Sequence, residues 1–424
     1  MSPQSLYGHI VEVFSEFRKN PIIPADLIIR RFFQDRRYLG AKDRRFIADT
    51  YFGTIKNWRR LEALVENSYD DKVITSDRVV AAYAIVFGGQ SPDQVATQFS
   101  KYSLSLDALK VIADPSQEED RLSTYSNFER LGILYSFPTW FVKRIAEEYA
   151  ELNTESILEA LNGEAPTALR ANTLFTTREK LREELAKQNC ETTFSTIAEN
   201  ALVLTKRTNV FGFDSFRRGE FEVQDEGSQL VAPFAQIHKT AIKVLDACAG
   251  AGGKTLHFST LLKNRGEIFA TDADDSKLDE LSKRLRRSGS QNVRIVKNDE
   301  REKRLGPDKE GWFDLVLLDV PCTGTGTLRR NPGIKWVLTE RMLEELVHKQ
   351  RSILEENLRF VKPGGVLLYA TCSLLKEEGE RQIDWFTAKY LEFFVEDLLR
   401  TRPVELACDG FFVARLRRNV AKTA

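Results

Sequence analysis

The chain has 424 residues, 42% hydrophobic and 29% charged, with 62 basic and 62 acidic side chains. That is the composition of an ordinary globular protein with room for two or three domains, and its zero net charge excludes a protein that coats nucleic acid by bulk charge. No signal-peptide pattern opens the chain and no run of about 18 apolar residues occurs, so a cytoplasmic protein without membrane contact is expected.

The first hundred or so residues predict an all-helical domain. "SLYGHIVEVFSEF", "KDRRFIADTYFGTIKNWRRLEALVENS" and "DRVVAAYAIVFGG" repeat apolar residues at steps of three and four, with basic residues off the stripe. A polar stretch from Ala113, "ADPSQEEDRLSTYSN", reads as a linker. Helix and strand patterns then mix through "PTWFVKRIAEEYAEL", "TALRANTL", "TREKLREELAKQ", "NALVLTK" and "GEFEVQDE", predicting a small α+β unit. From Ala241, short apolar strands alternate with helices through "IKVLDACAGAGGKT", "GEIFATD", "NVRIVKND", "FDLVLLDVPC" and "GGVLLYATCS". Five such βα units in order predict an α/β fold with a doubly wound parallel sheet, and "LEFFVEDLL" and "GFFVARLRR" predict an antiparallel pair at its end. The expected domains are therefore 1–125, 126–235 and 236–424.

Ligands of open parallel sheets sit beyond the carboxyl ends of the strands. Four successive strands end there in acids: Asp246, Asp272, Asp299 and Asp319. After the first comes the loop Cys248, Ala249, Gly250, Ala251, Gly252, Gly253, Lys254, whose glycines let backbone amides approach a ligand. The loop misses the dinucleotide fingerprint by Thr255 and the P-loop by Cys248. Charge decides between ligands, because a triphosphate would meet four carboxylates, whereas S-adenosylmethionine brings a sulfonium, an ammonium and ribose hydroxyls. The site is read as one for a methyl donor.

The five cysteines, Cys190, Cys248, Cys322, Cys372 and Cys408, form no CxxC pair, and only four histidines accompany them, so neither a disulfide framework nor a metal site is expected. Two of the thiols stand at the ends of neighbouring strands: Cys322 in "DVPC" and Cys372 in "YATCS". Beside a methyl donor, a thiolate has a use, since its addition at carbon 6 of cytosine makes carbon 5 nucleophilic toward a sulfonium methyl.

The motifs "DACAGAGGKT", "LLDVPCTGTGTLRRNPGIKW", "YATCS" and "DGFFVARL" resemble the RNA cytosine-C5 methyltransferases with two motif cysteines. "FPTWFVKRIAEEYA", "APTALRANTL" and "GEFEVQDEGSQLVA" resemble that family's RNA-binding segment, and the helical region resembles the NusB-like domain of its 16S ribosomal RNA member. The resemblance implies a Rossmann-like catalytic domain with a seven-stranded, mostly parallel sheet. It implies that Cys372 is the nucleophile, that Cys322 assists product release and that Asp319 hydrogen-bonds the target cytosine. The loop from Cys248 to Lys254 would then hold the methionine part of S-adenosylmethionine, Asp272 its ribose and Asp299 its adenine side. Two departures stand out: Gly250 and Ala251 replace the family's usual Ala-Pro ahead of the glycine pair, and Glu378 is followed by Gly379 where asparagine is common.

The expected partner is RNA, 16S ribosomal RNA or a small-subunit assembly intermediate, bound by a monomer. Arg329, Arg330, Lys335 and Trp336 are the candidates to grip phosphates and stack on a base, with Arg170 and Asn172 extending the surface. A transfer RNA methyltransferase and a noncatalytic assembly factor are the alternatives.

Overall fold

The computed structural model describes residues 1–150, 153–239 and 241–420. Two compact units emerge, Met1–Gly163 with Leu328–Glu340, and Glu164–Thr327 with Arg341–Ala424.

The first unit is helical. Its apolar stripes converge on one core that includes Phe14, Phe17, Tyr51, Trp58 and Leu61. The helix expected from Ala41 is two, Ala41–Lys56 and Trp58–Ser68, divided at Asn57, whose backbone leaves helical geometry while its side-chain amide donates to the Gly53 carbonyl. The expected linker is instead a helix, Pro115–Leu122, capped by Asp114. Arg60 clamps it with two hydrogen bonds to Glu118, at 2.7 and 2.8 Å. Helices Asn127–Leu134, Thr139–Glu148 and Thr154–Asn162 follow within the same unit. Arg59 bonds the Phe137 carbonyl and the Thr139 hydroxyl, which ties these helices to the rest of the unit.

The second unit holds two sheets. Strands β1 (Ala168–Ala171), β2 (Thr192–Phe194), β3 (Ala201–Leu204) and β4 (Phe221–Val223) form an antiparallel sheet in the order β2-β3-β1-β4. Leu181 and Leu185 of the helix Arg178–Lys187 join Leu169, Leu202 and Phe221 in its core. The larger sheet comprises β5 (Lys243–Asp246), β6 (Glu267–Ala270), β7 (Val293–Ile295), β8 (Phe313–Asp319), β9 (Val361–Thr371), β10 (Phe393–Thr401) and β11 (Phe411–Arg418). Its order is β10-β11-β9-β8-β5-β6-β7. The first five of these strands are parallel, and β11 pairs antiparallel with both β9 and β10, the arrangement the sequence predicted. Buried runs such as Leu315 to Leu318 explain why these strands lack alternation, since helices cover both faces of a parallel sheet. The chain moves outward from β5 through β6 to β7 and then returns to β8, which places the switch point between β5 and β8. Among the described residues no helix is long and apolar enough to cross a membrane.

Candidate active site

The switch point brings the sequence's acids and glycines together. Asp246 and Asp319 are the last residues of β5 and β8; Asp272 follows β6 by two residues, and Asp299 lies beyond β7 in the 3-10 turn Asn298–Glu300, exposed. Gly250 and Gly252 take left-handed backbone angles, φ +53° and +87°, before the helix Gly253–Leu261. A Cβ on Gly252 would lie 2.2 Å from Leu281 Cδ1, so only glycine fits there without displacement. The Gly250 amide donates to Asp272 Oδ2 at 2.8 Å and the Asp274 amide to Oδ1 at 2.9 Å, which fixes the carboxylate beside the loop. Each of its oxygens keeps a lone pair for a hydroxyl.

Lys254, nearly buried, reaches across to Asp319 Oδ2 at 2.6 Å. Burial by itself would favour the neutral amine, but contact with Asp319 more than offsets it and the ammonium is held above its usual range. A lysine paired in this way is not extended toward a phosphate.

Asp246 accepts the Thr255 hydroxyl at 2.7 Å on one oxygen, while the other, buried, has no partner. Burial pushes its acid up to about 7 against the Thr255 hydrogen bond, with the Asp319 charge adding to the rise. Folding therefore favours the protonated acid, a contribution fully present below the unfolded value of roughly 4 and lost as pH rises through 7. Asp246→Asn, which cannot ionise, is expected to flatten the fall in melting temperature between about pH 4 and 7. Parallel curves for variant and wild type across that window would refute the raised acid.

Cys372 stands just past β9 and Cys322 three residues past the end of β8, and the two sulfurs are 3.4 Å apart. Adjacent parallel strands produce this pairing, and the loops after them are laced together. The Gly326 amide donates to the Cys372 carbonyl at 2.9 Å and the Leu374 amide to the Thr325 hydroxyl at 2.9 Å. The Cys322 thiol is pushed well up, first by its hydrogen bond to Cys372 and then by burial. The two thiols share one hydrogen bond, in which either sulfur can be the donor.

Behind the thiols lies a polar cluster to which the sequence assigned no role: Thr323, Gln350, Ser373 and the fully buried Glu378. The only signal for Glu378 was its closeness to the "TCS" motif, and acids at the start of a helix are usually exposed caps.

The RNA candidates fare differently. Arg170 lies on β1 with 2% exposure; its guanidinium donates to Gln224 and, at 2.8 Å, to the Gly253 carbonyl, so it braces the glycine loop from behind instead of facing RNA. Asn172, equally buried, donates to the Gly219 and Ser288 carbonyls at 2.8 Å each. Within the helical unit, Lys335 is 1% exposed and its ammonium meets the Lys56 carbonyl at 3.0 Å, Asn162 Oδ1 at 2.5 Å and the Phe137 ring at 3.7 Å. Trp336 donates to the Ile55 carbonyl and packs on Trp58. Lys335 is thus an internal anchor of the segment Leu328–Glu340 and not a phosphate grip, while Trp336, half-buried, has its indole N–H already taken. Arg329 is buried as well, while Arg330 lines a groove of about 320 Å³ with Pro21, Ile22, Phe52 and Ile334.

A family profile described as 16S rRNA methyltransferase RsmB/F matches residues 236–417, and one described as the ferredoxin-like domain of RsmF/B-like methyltransferases matches residues 137–211. The chain is 28% identical to the probable ribosomal RNA small subunit methyltransferase B of Synechocystis sp., over 93% of this chain and 95% of that one. It is 34% identical to the ribosomal RNA small subunit methyltransferase B of Sodalis glossinidius, over 68% of this chain and 67% of that one. The crystal structure of PH0851 superposes with a TM-score of 0.79 at 26% identity, covering 99% of each chain.

Proposed function

Because the chain belongs to the RsmB/F family of 16S rRNA methyltransferases, we propose that it methylates carbon 5 of a cytosine in small-subunit ribosomal RNA, using S-adenosylmethionine. It would do so as a cytoplasmic monomer. The observation that carries the reading is the thiol pair, 3.4 Å between sulfurs, at the ends of β8 and β9 beside the Lys254–Asp319 contact.

The residues present fit the methyl donor. Asp272 offers carboxylate lone pairs to ribose hydroxyls, and Gly250 and Gly252 leave the loop open where a Cβ would strain it. The bound donor supplies an electrophilic methyl group on its sulfonium. On this reading the Cys372 thiolate forms a bond to carbon 6 of the cytosine, and the electron pair displaced toward carbon 5 takes up the methyl. Asp319 accepts a hydrogen bond from the cytosine amino group and Lys254 keeps the negative charge at the site compensated. Cys322 gives its proton to ring nitrogen 3 as charge develops there, and as thiolate takes the carbon 5 proton after methylation; the electron pair of that bond re-forms the carbon 5–carbon 6 double bond, Cys372 leaves as thiolate and nitrogen 3 releases its proton to solvent. Asp299, exposed beyond β7, keeps its assignment to the adenine side. Arg330 remains the RNA candidate of its segment, and the helical unit and the small antiparallel sheet supply the rest of the RNA surface. A base in a loop or a flipped base is required, since a duplex hides carbon 6.

Gly252→Ala is expected to weaken S-adenosylhomocysteine binding at least about tenfold, because left-handed geometry costs an alanine roughly 1–2 kcal/mol before Leu281 is displaced. Calorimetric titration measures it, and unchanged affinity would remove the loop from the donor site. The reaction itself is tested by incubating the protein with labelled S-adenosylmethionine and either unmodified 16S RNA or transfer RNA, then assaying 5-methylcytosine. Label in 16S RNA supports the reading; label only in transfer RNA overturns the substrate, and no label in either overturns the activity.

A further inference from the structure

We propose that Glu378 and Gln350 are positioning residues: together they brace the two thiol loops from behind and hold Cys322 and Cys372 at the separation that breakdown of the cytosine adduct requires. The inference rests on the reading of the thiol pair in the proposed reaction and deepens it.

Each thiol stands on a loop just past its strand, and sulfurs on separate loops keep a fixed gap only if the loops are tied. One tie is main-chain, from the Gly326 amide to the Cys372 carbonyl. The second is made by the side chains of Thr323, Gln350, Ser373 and Glu378, all of them buried. Glu378 Oε1 accepts the Thr323 amide at 2.9 Å and Oε2 bonds the Thr323 hydroxyl, so the carboxyl grips the residue after Cys322 twice. The same hydroxyl lies 3.3 Å from that of Ser373, the residue after Cys372, and the Ser373 oxygen in turn accepts the Leu375 amide at 3.0 Å. Gln350, on the helix Glu340–Asn357, closes the brace. Its amide group donates to Glu378 Oε1 at 2.9 Å and to the carbonyl of Pro321, the residue before Cys322, at 3.0 Å, while its oxygen accepts the Gln382 amide at 2.8 Å. Cys322 is thereby held through both of its chain neighbours and Cys372 through the one that follows it.

These groups have no water to fall back on. Sliding one loop against the other would strand a buried donor or acceptor, which costs more than a solvated hydrogen bond is worth. The brace holds in either ionisation state of Glu378, because Oε1 accepts in both and the Thr323 hydroxyl can turn to accept from a protonated Oε2. Its action is therefore geometric. The step most sensitive to the 3.4 Å gap is the one that uses both sulfurs on one ring, with Cys372 bonded to carbon 6 while Cys322 takes the carbon 5 proton.

Phenylarsine oxide reads the gap without RNA or donor. It condenses with two thiols, forming two arsenic–sulfur bonds and releasing one water, and the second bond closes a ring only where both sulfurs are held close. Wild type should retain the arsenical against dithiothreitol, and Cys322→Ala, which cannot close the ring, sets the level for a single thiol. Glu378→Gln keeps an acceptor for the Thr323 and Gln350 amides and turns its NH2 to the Thr323 hydroxyl, so it should match wild type. Glu378→Ala and Gln350→Met should release the arsenical at about tenfold less dithiothreitol, the worth of one buried hydrogen bond. Thr323→Val, which loses one hydroxyl and keeps the backbone tie, should fall between them and serves where the larger cuts fail to fold. With 16S RNA, Glu378→Ala should accumulate a covalent protein–RNA species although both cysteines are present. Its kcat should fall far more than its kcat/KM, because the slowed step follows methyl transfer, a split that general loosening of the fold would not give. Wild-type retention of the arsenical by folded Glu378→Ala, Gln350→Met or Thr323→Val would overturn the brace. A Glu378→Gln protein as weak as Glu378→Ala would overturn it too, by making charge and not geometry responsible. Failure of the reaction itself is visible separately, as wild type that retains the arsenical but forms no 5-methylcytosine, and it would leave the brace without the step it serves.

Discussion

Cys372→Ala is expected to lower methyl transfer to 16S RNA by at least ~10⁴-fold, about 5.5 kcal/mol of transition-state stabilisation. Without a sulfur to add at carbon 6, carbon 5 of cytosine does not attack a methyl group, and neither Lys254 nor Asp319 can replace that bond. The loss should not reflect unfolding: Cys372 is only half-buried, and its backbone contact with Gly326 survives the substitution. Cys322→Ala should behave differently. The nucleophile remains and the adduct forms, but the group 3.4 Å away that serves its breakdown is gone, so a covalent protein–RNA species should accumulate on denaturing gels. Labelled S-adenosylmethionine with unmodified RNA reads both variants in one experiment. A Cys372→Ala protein that still forms 5-methylcytosine, or a trapped adduct on Cys372→Ala and not on Cys322→Ala, would exchange or abolish the two roles.

The parts of the site that the sequence displayed are those that follow from strand order. Once five βα units are recognised, the residues ending their strands must share one edge of the sheet, and Asp246, Asp319, Cys322 and Cys372 are found there. Gly250 and Gly252 were legible because a left-handed turn between strand and helix needs glycine. What stayed hidden depends on surroundings supplied by distant segments. Lys335 and Trp336 have the chemistry of an RNA contact, but carbonyls of Lys56 and Ile55, some 280 residues earlier in the chain, take their donors instead. Glu378 has the chemistry of a helix cap and is instead enclosed by Thr323 and Gln350. The segment from Ala113 is polar enough for a linker, yet Asp114 and Pro115 start a helix there and the Arg60–Glu118 pair holds it. Residue type reports what a side chain can bind, and only packing reports what has already bound it.

Arg170 shows the same limit and leads to the largest stability effect expected outside the catalytic centre. It lies beside a partly buried cluster around Glu222 of β4, which accepts Arg284 at 2.9 Å and Arg287 at 2.6 Å from the helix Asp275–Ser288. Glu222 is 4% exposed and provides the favourable charge for Arg170, whose own guanidinium is lowered to about 9, chiefly by burial. Glu222→Ala would leave these cations without their shared counter-charge, Arg170 where the structure excludes water and Arg284 and Arg287 where water reaches them only in part. Removing one partner of a buried ionic cluster costs roughly 3–5 kcal/mol, which for a unit of this size lowers the melting temperature by on the order of 10 °C. Because Arg170 holds the Gly253 carbonyl and Arg284 the Ala251 carbonyl at 2.8 Å, the glycine loop should loosen with it. S-adenosylhomocysteine affinity is therefore expected to fall in Glu222→Ala even at temperatures where the protein remains folded. A quadruple replacement of Arg170, Glu222, Arg284 and Arg287 by apolar residues of similar volume should recover most of the stability, since no charge is then left buried alone, but not the affinity, because the donors to the Gly253 and Ala251 carbonyls are missing. A Glu222→Ala protein that melts within about 1 kcal/mol of wild type would mean that water at the partly exposed Arg284 and Arg287 replaces the lost counter-charge, and would overturn the expected cost.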